Sequence, residues 1–197
     1  MGPDVPVPLF NFITLIAMSS TQSPGRSVAT INLIAGRETI TTPPGPKDYD
    51  NIESQLKIIE SEFLELKDNW KMKNLNGMRD DIGDVLFTVL GLAHVMGFPA
   101  DDDLRLICES QFTKFDASEE AAEQTKQKYL QLGVETYQIR KQLGSAEDDN
   151  FWIVTKSAKD QVGKDGKDYP KDKWLKSVNF KEPVFDPSYQ ITMDTPV

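Results

Sequence analysis

Two short acidic pairs carry the residues whose types and spacing could do chemistry in this chain. In "ESEFLEL", Glu62 and Glu65 stand three apart, and in "MRDDIGDVLF", Asp81 and Asp84 repeat the spacing. Residues three apart share one face of a helix. Each pair would therefore present two carboxylates side by side. Carboxylates that converge repel one another unless a cation lies among them. Oxygen-only ligands of high charge select Mg²⁺, with Mn²⁺ as its substitute. Four carboxylates suit two or more ions, the arrangement that clamps the attacking and leaving oxygens in phosphoryl transfer. The ordinary alternative is solvated surface, because acidic pairs at this spacing are common on helices.

The elements around these pairs decide between the two. In "DYDNIESQLKIIESEFLELKDNWK", the apolar residues Ile52, Leu56, Ile59, Phe63, Leu66 and Trp70 recur at intervals of three and four, which predicts an amphipathic helix. "KNLNG" predicts a short turn, and residues 78–98 predict a second helix. That second segment is apolar on all sides after Ile82, so it reads as a buried helix, and Asp84 on it needs compensation. A short link makes the two helices antiparallel neighbours. Folding the pair about residues 73–74 sets Glu62 and Glu65 against Asp81 and Asp84, within about one helical turn, ~5 Å. Spacing alone does not separate the two; the apolar surroundings of Asp84 favour a cation site over surface decoration.

Elsewhere, Asp101–Asp103 suit the start of a third helix, and Asp116 with Glu119 suits the start of a fourth that Gly133 ends. "VETYQIR", "FWIVTK" and "KWLKSV" read as short strands. "SVATINLIAGRETITT" has partial two-residue alternation about "AGRE" and reads as a hairpin or extended arm. The expectation is a mainly α fold: about four antiparallel helices at 48–133, a small β element and tail at 134–197, and an extended arm at 1–47. "GKDGKD" lacks the first glycine and the Ser/Thr of a phosphate-binding loop. There is no internal repeat.

Composition bounds the rest. One cysteine, Cys108, excludes a disulfide framework and reads as a small core residue. One histidine, His94, argues against His-rich zinc chemistry and reads as a packing or helix-end residue. A formal charge of −9 argues against DNA binding. That charge is uneven, because residues 151–181 hold eight Lys and four Asp. "VPLFNFITLIAM" lacks a preceding basic region and is too short to span a bilayer, so a reducing cytoplasm and no membrane are expected.

At the acidic pairs the chain resembles MazG-like nucleoside triphosphate pyrophosphohydrolases of the all-α superfamily, phage-type. "ESEFLEL" with "DDIGDVLF" is similar to their Glu-Glu-x-x-Glu plus Glu-x-x-Asp signature. "ICESQFTKF" and "DKWLKSVNFKEP" are similar to their Ser-Asn-Met-Ser-Lys-Phe and Gly-Lys-x-x-Lys-Ser…Pro stretches. The resemblance covers about residues 52–185. It implies metal ligands at Glu62, Glu65, Asp81 and Asp84, and phosphate-side groups at Lys114, Lys173 and Lys176, with Gln111 at the family's Asn. Ser61 stands where the signature has its first Glu, and Asp81 is one methylene shorter than the family's Glu. The resemblance implies Mg²⁺-dependent cleavage of a nucleoside triphosphate to monophosphate and pyrophosphate, by a dimer or dimer of dimers. A deoxynucleotide is expected, dGTP first. The rivals are a dUTP/dCTP or phosphoribosyl-ATP member of the same superfamily, and a non-catalytic acidic protein that mimics DNA.

Overall fold

A computed structural model of the chain describes residues 23–40, 46–142 and 151–189. They form five α-helices, a two-stranded sheet and a second, shorter two-stranded ladder. The fold is mainly α with a small β element, as the sequence patterns predict. Two compact units divide the chain, one within 1–103 with 186–197 and one within 104–185. The expected boundary at 133/134 falls inside the second unit.

The first unit is built on a helical hairpin. Helix α1 spans Pro24–Ile34, α2 spans Pro46–Lys71 and α3 spans Leu75–Val95. α2 and α3 meet across the three-residue turn 72–74, where Lys73 takes a left-handed φ of 57°. Asn74 then caps α3, its side chain accepting a hydrogen bond from the Gly77 N–H. α1 packs on α3. Over 27–40 the expected hairpin or arm is instead this helix followed by a turn, and 41–45 lie outside the described residues. Pro24 opens the helix at a position that needs no N–H. Gly36 ends it at φ 72°. A glycine that stops a helix and one that turns a hairpin leave the same mark in a sequence, which is why "AGRE" reads either way. Residues 1–22 of the expected arm lie outside the described residues.

The face that α2 turns toward α3 is not its apolar stripe. Asp48, Ile52, Gln55, Ile58, Ile59, Glu62, Leu66 and Asn69 are the buried or half-buried positions described along α2. At 100° per residue these centre about 60° away from the stripe. Leu56, Phe63 and Trp70 are left at least half exposed in consequence. α3 also departs from expectation. It is not buried all round, because Ile82, Leu86, Phe87 and Val89 are exposed. Among the described residues no single helix is long and apolar enough to cross a membrane.

The second unit holds the end of α4 (Ala100–Phe112), then α5 (Glu119–Gln131), β1 (Thr136–Gln142), β2 (Phe151–Ser157), β3 (Gln161–Val162) and β4 (Asp168–Tyr169). β1 and β2 pair antiparallel from Thr136↔Ser157 to Gln142↔Phe151. Its core is Tyr129, Val134, Tyr169 and Leu175. "KWLKSV" is not a strand but bridges to β2 at Lys156↔Trp174. Ser118 caps α5, accepting from the Ala121 N–H. Asp116, expected in that role, is 1% exposed and accepts from Ser177 Oγ at 2.5 Å and Thr125 Oγ1 at 3.2 Å. Two hydroxyl donors hold it in the interior, out of reach of the helix start. Cys108, expected in the core, is exposed on α4.

Candidate functional site

The four carboxylates lie on the facing helices of the hairpin, Glu62 and Glu65 on α2 and Asp81 and Asp84 on α3. The other three act on Glu62. Partial burial, and then the charges of Glu65, Asp84 and Asp81, hold the Glu62 carboxyl above the ordinary glutamate range. The antiparallel register inferred from spacing therefore brings the named acids into one electrostatic group.

Their settings differ. Asp81 is buried at 7% exposure and accepts a hydrogen bond from Asn69 Nδ2 at 2.8 Å. Asn69 is itself held, its Oδ1 accepting from Asn74 Nδ2 at 2.7 Å. The hairpin turn thus fixes one acid through two amides. Glu62 is half-buried, and Glu65 and Asp84 are exposed. Asp84 was expected to be buried within an apolar helix; it lies at the rim of the α2–α3 contact, and water solvates it there.

The donor chemistry fits a hard divalent cation, since it is all carboxylate oxygen. The side chains do not converge on one point. Among the described residues, no three His, Cys, Asp or Glu side chains are grouped as an ion would need. What the hairpin supplies is a set of acids at the right places on two helices, with one fixed by hydrogen bonds and two exposed ones able to turn.

The same helix pair is held at its other end by a second amide. Gln55 is 4% exposed, donates Nε2 to the Thr88 carbonyl at 2.9 Å and accepts from Arg37 Nη1 at 2.9 Å. Asn32, buried on α1, donates to the Val28 carbonyl and lies 3.4 Å from the same Arg37 nitrogen. Gly91 makes the room: a Cβ there would sit 3.2 Å from Gln55 Nε2. His94 lies near a helix end, as expected, with Nε2 at 3.0 Å from the Arg37 carbonyl.

Gln111, Lys114, Lys173 and Lys176 belong to the second unit. Gln111 lies on α4, and Lys114 in the turn after it, its N–H on the Gln111 carbonyl at 3.1 Å. Lys173 Nζ donates to the Asp168 carbonyl at 2.9 Å and lies 5.5 Å from the Tyr169 ring centre. Lys176 pairs with Glu182 at 2.5 Å and covers the Phe180 ring. Both C-terminal lysines are thus engaged within their own unit.

Sequence spacing passed over Asn69, Gln55 and Arg37. Amides at buried helix positions carry no periodic signal, and Arg37 reaches them from a segment that reads as a turn. No protein-family model, curated protein or solved structure matches this chain.

Proposed function

We propose that the protein is a Mg²⁺-dependent nucleoside triphosphate pyrophosphohydrolase that releases a nucleoside monophosphate and pyrophosphate, with a deoxynucleotide, dGTP first, as substrate. The observation that carries this reading is the electrostatic group on the α2–α3 hairpin, where Glu62 is raised by Glu65, Asp84 and Asp81. Four acids stand on facing helices with Glu62 raised by the other three, and a cation placed there would relieve that repulsion.

Glu62, Glu65, Asp81 and Asp84 would hold the cation, with Mn²⁺ as substitute. Bound there, a divalent cation would offset the charge of a triphosphate and lower the pKa of a bound water. Asp81 enters that set already oriented by Asn69. Glu65 and Asp84 are exposed, and exposed side chains change rotamer in nanoseconds or less. A carboxylate of this group left outside the cation's shell would take a proton from the attacking water.

The same reading makes the protein a cytoplasmic homo-oligomer. The support for an oligomer is the row of exposed apolar residues Leu56, Phe63 and Trp70 on one face of α2.

The exposure of Glu65 and Asp84 is what favours a second reading, an acidic mimic that occupies a basic groove. Incubation with each NTP and dNTP, in Mg²⁺ or in EDTA, separates the two. The enzyme gives metal-dependent monophosphate plus pyrophosphate. Absence of cleavage with both Mg²⁺ and Mn²⁺ would remove the pyrophosphohydrolase reading.

A further inference from the structure

A cavity of about 770 Å³ opens in the first unit, beside the first turns of α2. Arg37, Glu38, Lys47, Asn51, Ser54 and Gln55 line it. Its volume falls within the range of small-molecule pockets, roughly 300–1,000 Å³. Its wall has a rigid backing: Gln55 and Asn32 are at least nine-tenths buried and both approach Arg37 Nη1.

Those two contacts decide what Arg37 can offer. A guanidinium has five N–H donors, two of them on Nη1. With Nη1 turned to the amides, the Nε–H and Nη2–H remain as a parallel fork. Such a fork matches two adjacent acceptors on one ligand. Guanine offers such a pair as O6 and N7, where arginine is its commonest specific partner in duplex DNA; cytosine offers one as O2 and N3, but only guanine adds a ring N–H beside the pair. Glu38 on the same wall is a carboxylate acceptor for a ring N–H or amino group.

The cavity is also in line with the acids. Along α2, Lys47, Asn51, Ser54 and Ile58 line the cavity at intervals of four, three and four. Glu62 and Glu65 continue the row at four and three. All six fall within an arc of about 80° on one helix face. Ser54 and Glu62 are about 12 Å apart along the axis, a separation that a nucleotide with its base at one and its phosphates at the other would span.

We infer that this cavity is a nucleobase site which reads the O6/N7 edge of guanine through Arg37. Only the placement of the triphosphate rests on the pyrophosphohydrolase reading; recognition of the base does not. The same fork could grip phosphate oxygens, so the test carries both.

The test is calorimetric titration of the full chain in EDTA with deoxyguanosine, deoxyadenosine, deoxycytidine and inorganic triphosphate. Deoxyguanosine is expected to bind roughly tenfold or more tightly than the other nucleosides. Arg37→Ala should erase that preference, and Ser54→Trp, which fills the cavity from an exposed helix position, should abolish nucleoside binding. Circular dichroism shows whether each variant keeps its helices. Equal binding of all nucleosides, binding of none, or Arg37-dependent binding of triphosphate alone would overturn the inference. Turnover separates the two readings. Arg37-dependent deoxyguanosine binding without cleavage of any dNTP sustains the base site and removes the reaction. Cleavage of all four dNTPs, unchanged in Arg37→Ala and Ser54→Trp, removes the base site and leaves the reaction standing.

Discussion

Asn69 Nδ2 donates to Asp81 Oδ2 at 2.8 Å, joining the last turns of α2 to the second turn of α3. Asp81 is buried, and a buried carboxylate that loses a donor carries the desolvation cost unrelieved. Asn69→Ala should therefore destabilise the metal-free protein by about 1–3 kcal/mol, measured by urea unfolding. The same variant should weaken Mg²⁺ roughly 10- to 100-fold, as loss of an outer partner of a ligand does. Unchanged metal binding with lowered stability would reduce Asn69 to a structural bond.

Glu65 carries no such structural duty. It is exposed on α2, so Glu65→Ala should leave the unfolding midpoint near wild type. Turnover should fall by at least ~10²-fold, since removing a ligand costs no less than removing the partner of one. Steady-state release of pyrophosphate measures this. Intact turnover would sink the ligand assignment and favour the mimic.

Glu62 makes a prediction about pH. Its carboxyl is raised by burial and by Glu65, Asp84 and Asp81. A raised folded-state pKa means that the folded protein binds this proton more tightly than the unfolded chain. The stabilisation is present below the ordinary glutamate value of 4.5 and is lost as pH rises through the raised value. In EDTA, Glu62→Gln should therefore be more heat-stable than wild type at pH 7, with the gap closing by pH 4. Mg²⁺ should raise the melting temperature of wild type more than that of the variant. A gap that persists unchanged at pH 4 would locate its cause elsewhere.

How far the sequence discloses this arrangement depends on the kind of signal. The hairpin is legible because Ile52, Ile59 and Leu66 keep a helical period and "KNLNG" is too short for anything but a reversal. The pairing of acids follows from that register. Exposure is not legible: periodicity tells that Phe63 and Leu86 are apolar, not which of them one chain covers. Asp84 reads as buried for the same reason, since the apolar residues around it face outward. Asp116 reads as a cap from its neighbours alone, whereas its partner Ser177 lies 61 residues away. The amides Gln55 and Asn69 are invisible because buried polar pairing is a tertiary fact.

Asp116 offers a test confined to the second unit. Its Oδ1 receives Ser177 and Thr125 hydroxyls, and its Oδ2 has no partner among the described residues. Asp116→Ala would take the acceptor from both hydroxyl protons, at positions that are 1% and 0% exposed, while the oxygens keep the Asn179 and Val178 N–H groups. A buried donor left without its acceptor costs about 1–3 kcal/mol. Limited proteolysis should accordingly open the segment around Ser177 before the α2–α3 hairpin. Simultaneous loss of both regions would mean that the chain unfolds as one cooperative block.

The apolar surface of the hairpin bears on assembly. Phe63 and Trp70 on α2 are 50% and 55% exposed. Scattered exposed apolar residues need no explanation, but Leu56, Phe63 and Trp70 form a row on one helix face, and such a row marks an interaction surface. If that surface closes against a second copy, light scattering should report a dimer or dimer of dimers. Phe63→Arg with Trp70→Arg would bury unpaired charge in such a contact, and the doubly substituted protein should run as a monomer with its helix content kept. Glu62 follows this row in the chain but lies about 100° round the helix from Phe63, so metal affinity in the monomer shows whether the acidic group needs the partner. Unchanged Mg²⁺ binding would place the whole site within one chain, and a monomeric wild type would remove the homo-oligomer from the proposed function.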